Sequence, residues 1–165
     1  MKVLELPLVA AIRQNHALEH ATIHVLSEGH PNLRLVGRSD WKGFALYGPV
    51  STQEVDAAVS LALRRLQEGE SQLAVHAQCG TNVAAGVLLA AVAVGGALLG
   101  QRSRFRRALG MASGLVAAAV LALPVGMWLQ EEVTTSADVT GLQVARLSRH
   151  ELGGWVAHRV ETKRA

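Results

Sequence analysis

Two uncharged, mainly apolar runs dominate the pattern along the chain, residues 83–100 and 108–129. They contain 18 and 22 residues, and about 18 or more apolar residues in a row suffice to cross a bilayer as a helix. Two such runs in 165 residues predict a transmembrane helical hairpin rather than a buried helix pair. The segment between them, 101–107, holds four arginines. Gly96 and Gly100, and Gly110 and Gly114, are spaced four apart, which suits close helix contact in lipid. Pro124 is expected to kink the second span, and Trp128 to sit at an interface.

The flanking polar parts show other periods. Residues 8–27 read as a helix, with Pro7 at its first turn and Gly29 and Pro31 ending it. Leu8, Ile12, Ile23 and Leu26 are expected to face inward, with Ala17, Ala21 and Val25 as a second apolar side. Residues 33–38 and 43–48 read as a β-hairpin turning through 39–42. Ser51 followed three residues later by Glu54 forms a capping box. It opens a helix with Val55, Val59, Ala62, Leu63 and Leu66 on one face, stopped at Gly69. Residues 73–78 alternate and read as a short strand leading into the first span. After a polar linker at 134–140, residues 142–148 and 155–162 read as two strands turning around 151–154.

The predicted fold is therefore α+β, a small mixed helix and sheet domain with an inserted transmembrane helical hairpin. Its divisions are 1–82, the hairpin 83–129 with the arginine loop 101–107, and the completing strands in 130–165. Composition fits this division. Half of the residues are hydrophobic, yet only six are aromatic, and the mean hydropathy of +0.24 comes from the two central runs. The formal charge is +3, and its arginines lack the aromatic interleaving of a nucleic-acid binder, so no nucleic-acid partner is expected. The one cysteine excludes an internal disulfide. Residues 1–12 do not read as a signal peptide, because Glu5, Pro7 and Arg13 interrupt the apolar run. The expected setting is a bacterial cell membrane, crossed more than once. The arginine loop favours the cytoplasm for the hairpin's tip, whereas the absence of an export device favours it for the polar domain, to which we assign that side. Expected partners are the bilayer and, through the Gly-containing spans, a second copy or another membrane protein.

The chemistry concentrates in residues 13–24, which hold His16, Glu19, His20 and His24. On a helix His16 and His20 lie one turn apart on one face, with Glu19 beside His20. Imidazole is among the ligands that zinc favours. His76 and Cys79, at the end of the predicted 73–78 strand, offer a second imidazole–thiolate pair. With His16, His20 and one of these, water takes the fourth position and the site is catalytic in type. With all four the site is closed and structural, and Glu19 is a supporting partner. Without metal the cluster is a buried polar network in which Glu19 accepts from Arg13 or a histidine. His24 is expected to be a neighbour or surface residue, and His30, His150 and His158 are expected to face solvent.

The five residues His16-Ala-Leu-Glu19-His20 resemble the motif of the pitrilysin-like (inverzincin) metallopeptidases. That resemblance implies His16 and His20 as metal ligands and Glu19 as the general base. Those peptidases are much larger and take a third ligand from a downstream glutamate. Here Glu68 and Glu70 stand at a helix end without such a context. The wider pattern, from Asn15-His-Ala-Leu-Glu-His-Ala-Thr to His76-x-x-Cys79-Gly-Thr-Asn82 followed by two spans, is similar to an uncharacterised family of small bacterial membrane proteins. Two function classes follow. One is a membrane-anchored zinc-dependent hydrolase, peptidase-like. The other is a non-catalytic membrane protein in which a structural metal or polar His/Glu cluster serves assembly or partner binding. A variant of the second ligates a haem or chlorin-type metal through one histidine, although the chain has no haem-attachment motif.

Overall fold

A computed structural model describes residues 3–30, 32–100, 103–153 and 155–164. Pro31, Gln101, Arg102 and Gly154, which the sequence reading placed at a helix end, the arginine loop and a turn, lie outside the described residues. The described chain forms two compact units, Met1–His76 with Glu131–Ala165, and Ala77–Gln130.

In the first unit a long helix, α1 (Pro7–Gly29), precedes a hairpin of β1 (Val36–Asp40) and β2 (Gly43–Tyr47). Ser39 and Asp40, expected in the turn, belong to β1, and the reversal is made by Trp41 and Lys42. Gly43 at φ 147° allows the tight return. Helix α2 (Thr52–Gln67) starts with both halves of the capping box formed, a motif that stabilises a helix start by about 1 kcal/mol. It ends at Gly69, whose φ of 98° suits glycine.

The predicted strand at 73–78 is not formed. Residues Ser71–Ala74 make a turn of 3-10 helix, with Leu73 N–H bonding Glu70 O at 3.1 Å and Val75 N–H bonding Gln72 O at 3.4 Å. Local bonds thus use the backbone donors that a strand would offer a neighbour, and burial of both Leu73 and Ala74 breaks the alternation.

The sheet is completed from the far end of the chain by β3 (Leu142–Leu152) and β4 (Trp155–Arg164), in the antiparallel order β1-β2-β4-β3. β3 is longer than predicted and carries a bulge between Val144 and Arg146. Register places Phe44 opposite Val160 and Leu46 opposite His158 on the buried face. There they meet Leu18, Ala21, Val55, Val59 and Ala62 from the two helices. Polar ties fix α1 to the sheet: Asn15 Nδ2 donates to Asp40 O at 2.8 Å, and Asn15 Oδ1 accepts from Thr162 Oγ1 at 2.7 Å. Leu8 and Ile12, predicted to face inward, are 56% and 37% exposed, because the buried part of α1 begins only at Asn15.

The second unit is the helical hairpin α3 (Gly80–Gly100) and α4 (Arg104–Leu129), both long and apolar enough to cross a membrane. Arg104, Arg106 and Arg107 lie in the first turn of α4 rather than in a loop. The helices meet along small residues, with Gly86 against Ala122, Ala93 against Gly114 and Ala97 against Gly110. Only the second glycine pair of the sequence reading lies on this seam. A Cβ at Gly96 or Gly100 would meet nothing within 4 Å among the described residues, since Ala93 and Ala97 occupy the contact face of α3. At the open end Asn82 Oδ1 accepts from Gln130 Nε2 at 2.7 Å, and Asn82 packs against Gly126. α4 continues through Pro124 and runs into a π-helical turn, Gln130–Thr134.

Candidate functional site

Leu8, Ile12, His16, His20 and His24 follow one another at four-residue spacing along α1 and so form a single slowly turning ridge. Each histidine on it meets a backbone carbonyl. His16 Nδ1 lies 3.0 Å from Thr134 O, His20 Nδ1 2.8 Å from Ala74 O, and His24 Nε2 2.8 Å from Val75 O. A carbonyl oxygen only accepts, so each of these ring nitrogens carries a hydrogen. The other ring nitrogen, Nε2 in His16 and His20 and Nδ1 in His24, is the one free of these carbonyl bonds.

His76 joins the row from the segment after the 3-10 turn. Ring centroids are 4.3 Å apart for His16 and His20, 5.8 Å for His20 and His76, and 5.0 Å for His24 and His76. Burial, followed by the neighbouring His24 and His20, pushes the His76 pKa down to about 4, so this imidazole is neutral at pH 7. His24, expected at the surface or as a mere neighbour, is half-buried and part of the row. Its i+4 position after His20 was the available signal.

The ligand-type nitrogens of His16 and His20 lie within 4.8 Å of each other. Cys79 belongs to the helical unit, where its Sγ accepts from Thr81 N–H at 3.4 Å at the start of α3.

Glu19 lies on the sheet side of α1. Ser39 Oγ donates to Glu19 Oε2, and the rest of the side chain is pressed against Gly37 of β1. It does not take a hydrogen bond from Arg13, whose Nη2 instead donates to Glu132 O at 3.0 Å. Burial raises the Glu19 pKa; the Ser39 hydrogen bond and the charge of His16 oppose that rise. Ser39 and Gly37 had no sequence signal, because β1 reaches α1 only in the folded sheet.

The remaining histidines part company. His30 is exposed and bonds Glu54 Oε1 at 2.8 Å. His158 is 0% exposed, contrary to the expected surface position. It sits on the inner face of β4, with Nε2 3.1 Å from Thr52 Oγ1 and Nδ1 without a hydrogen-bond partner among the described residues. Burial, and then the charge of Arg149, lowers its pKa.

These features define a mixed helix and sheet protein with a four-stranded antiparallel sheet, a histidine row on its first helix and two long apolar helices that could span a membrane. A family model described as a domain of unknown function (DUF6391) matches residues 11–147, and the chain belongs to that family. An uncharacterised protein of Picosynechococcus sp. is 38% identical over 135 residues, covering 76% of this chain and 66% of the relative. No solved structure matches the chain.

Proposed function

We propose that this is a membrane-anchored metal-binding protein whose α1 ridge holds a zinc-class ion. His16 and His20 are its first ligands, and the His76-x-x-Cys79 pair is the source of the others. The observation that carries this reading is the carbonyl bonding of both α1 histidines. Metal-ligating histidines usually donate their second ring nitrogen to a carbonyl or carboxylate, which fixes the tautomer and raises ligand basicity. Neutral His76 is in the protonation state that metal binding needs.

Membrane anchoring is supported by where the apolar residues of α3 and α4 lie. Only 11% and 6% of their most apolar windows is buried, whereas a core helix of a soluble protein is mostly buried. Val87, Leu88, Val92, Val116 and Val120 all face outward. The proposed setting is a bacterial cell membrane with the polar domain in the cytoplasm. Gly96 and Gly100 leave α3 a small-residue face suited to a second copy or another membrane protein.

A second reading adds zinc-dependent, peptidase-like hydrolysis, with Glu19 removing the proton of metal-bound water. Its support is burial, which makes the Glu19 carboxylate a stronger base than an exposed one. The non-catalytic alternative keeps Glu19 as a tie between α1 and β1 and gives the metal or polar cluster a role in assembly.

The test is the metal content of purified full-length protein, compared with His16→Ala, His20→Ala and Cys79→Ala. About one zinc per chain, lost in both histidine variants, is expected; metal-free wild type after growth in zinc sinks the reading. Glu19→Gln that keeps the metal but loses hydrolysis assigns catalysis. Absence of hydrolysis in the wild type, with destabilised variants, assigns the structural role.

A further inference from the structure

We propose that the arginine-bearing end of the helical hairpin is a binding surface for anionic phospholipids, held by their headgroup phosphates. This rests on reading α3 and α4 as membrane spans, and every residue it uses belongs to that unit. The observation that carries it is a charge without a counter-charge. From Ser71 to Gln130 the chain runs 60 residues without an aspartate or a glutamate, and its only arginines or lysines there are Arg102, Arg104, Arg106 and Arg107. A guanidinium stays charged in a protein, and beside a low-dielectric layer a charge needs an opposite one. The helical unit, Ala77–Gln130, holds no carboxylate side chain to supply it.

Length sets the depth of these charges. α3, with 21 residues, is about 31 Å long at 1.5 Å per residue, close to the thickness of the hydrocarbon core. The first turn of α4 stands beside the end of α3, as the contact of Ala97 with Gly110 shows, and so lies at the level of the headgroups. Arg104 and Arg106 are exposed and Arg107 is half-buried. Arg104 and Arg107, three residues apart, share one side of α4 and can grip one phosphate together. Arg106 is turned about 100° from Arg107 and reaches a second. Phe105, Leu99 and Leu109, beside these cations, are also exposed. Cations next to outward apolar side chains match a lipid, whose phosphate and acyl chains meet at this depth. A soluble polyanion would have no use for the apolar part.

The test uses full-length protein in phosphatidylcholine vesicles that hold a trace of spin-labelled lipid, either phosphatidylglycerol or phosphatidylcholine. Electron paramagnetic resonance reads the fraction of label immobilised against the protein. An arginine near an anionic surface favours association by about fivefold. Averaged over all lipids around the spans, the expected preference for phosphatidylglycerol is at least twofold. It should fall to parity in Arg104→Gln/Arg106→Gln/Arg107→Gln. In the wild type it should also fall as salt rises from millimolar to molar, because exposed charges are then screened. Inorganic phosphate in place of chloride at equal ionic strength should leave it unchanged; a preference that phosphate alone abolishes assigns the surface to a soluble anion and overturns the lipid reading. A wild type without preference, a preference indifferent to salt, or one that survives the glutamine variant overturns the inference and leaves the spans standing. No immobilised lipid of either kind removes the spans and the inference with them.

Discussion

Replacing Gly37 with alanine probes how firmly Glu19 is fixed between α1 and β1. The backbone at 37 needs no left-handed conformation, so in open space the change would stabilise by about 0.4–1 kcal/mol through the unfolded chain. Here a Cβ would stand 2.7 Å from Glu19 Cγ and closer still to its carboxylate. Glu19 is only 5% exposed, so it has nowhere to swing without losing the Ser39 hydrogen bond. Forcing the two together costs about 1–3 kcal/mol, and giving up a hydrogen bond to a carboxylate costs about 1.5–3 kcal/mol. The protein takes the cheaper route, and after the unfolded-state gain the net loss is about 1–2 kcal/mol. For a unit of this size that lowers the melting temperature by about 5–15 °C. Thermal unfolding in detergent, followed by circular dichroism, reads the shift. Gly29→Ala, where a Cβ meets nothing within 4 Å, is the control and should not melt earlier. In a double-mutant cycle, Glu19→Ala should remove most of the penalty of Gly37→Ala. A Gly37→Ala protein that melts with wild type, or two changes that simply add, would refute the placement of Glu19 and any role argued from it.

Two further expectations concern other parts of the molecule. In metal-free protein, His76 is neutral when folded but titrates near 6.5 when unfolded, so the unfolded chain gains a proton first as pH falls. Its contribution is level above about 6.5 and is lost progressively down to about 4. The shift of 2.5 units sets a ceiling of about 3 kcal/mol, reduced to about 1–2 kcal/mol by solvent screening at a half-buried site. Wild-type and His76→Asn melts should therefore converge as pH falls from 7 to 4, and parallel profiles contradict the assignment. In the hairpin, a Cβ at Gly126 would approach the Asn82 Cα to 2.6 Å, a backbone atom that cannot step aside. Gly126→Val should part the helices and lower detergent thermal stability, while Gly96→Val leaves intrachain packing intact; equal effects would contradict the seam.

The histidines show how far residue spacing carries a site. The i+4 repeat of His16, His20 and His24 is a property of the helix alone, because 3.6 residues per turn puts them on one ridge wherever the helix packs. Their tautomers are not such a property. These depend on the carbonyls of Ala74, Val75 and Thr134, residues more than 50 positions away. Glu19 makes the same point in reverse. It precedes His20 directly in sequence, yet its hydrogen-bond partner is Ser39, because a step of about 100° per residue turns it away from His20 toward the sheet.

By itself the sequence determined the elements whose signals are local. Pro7 and Gly29 bound α1, the capping box starts α2, and uncharged length marks α3 and α4. It also fixed the α+β class, since strand-period segments on both sides of the apolar runs had to pair to bury their faces. Tertiary structure alone decided what depends on distant partners. It turned 71–74 into a 3-10 helix and buried His158 beneath the sheet. It left Leu8 and Ile12 exposed and chose alanines over Gly96 and Gly100 for the helix seam. The physical reason is that helix propensity and capping act within a turn or two of chain. Burial and hydrogen-bond partnership are set by whichever surface the folded chain brings alongside.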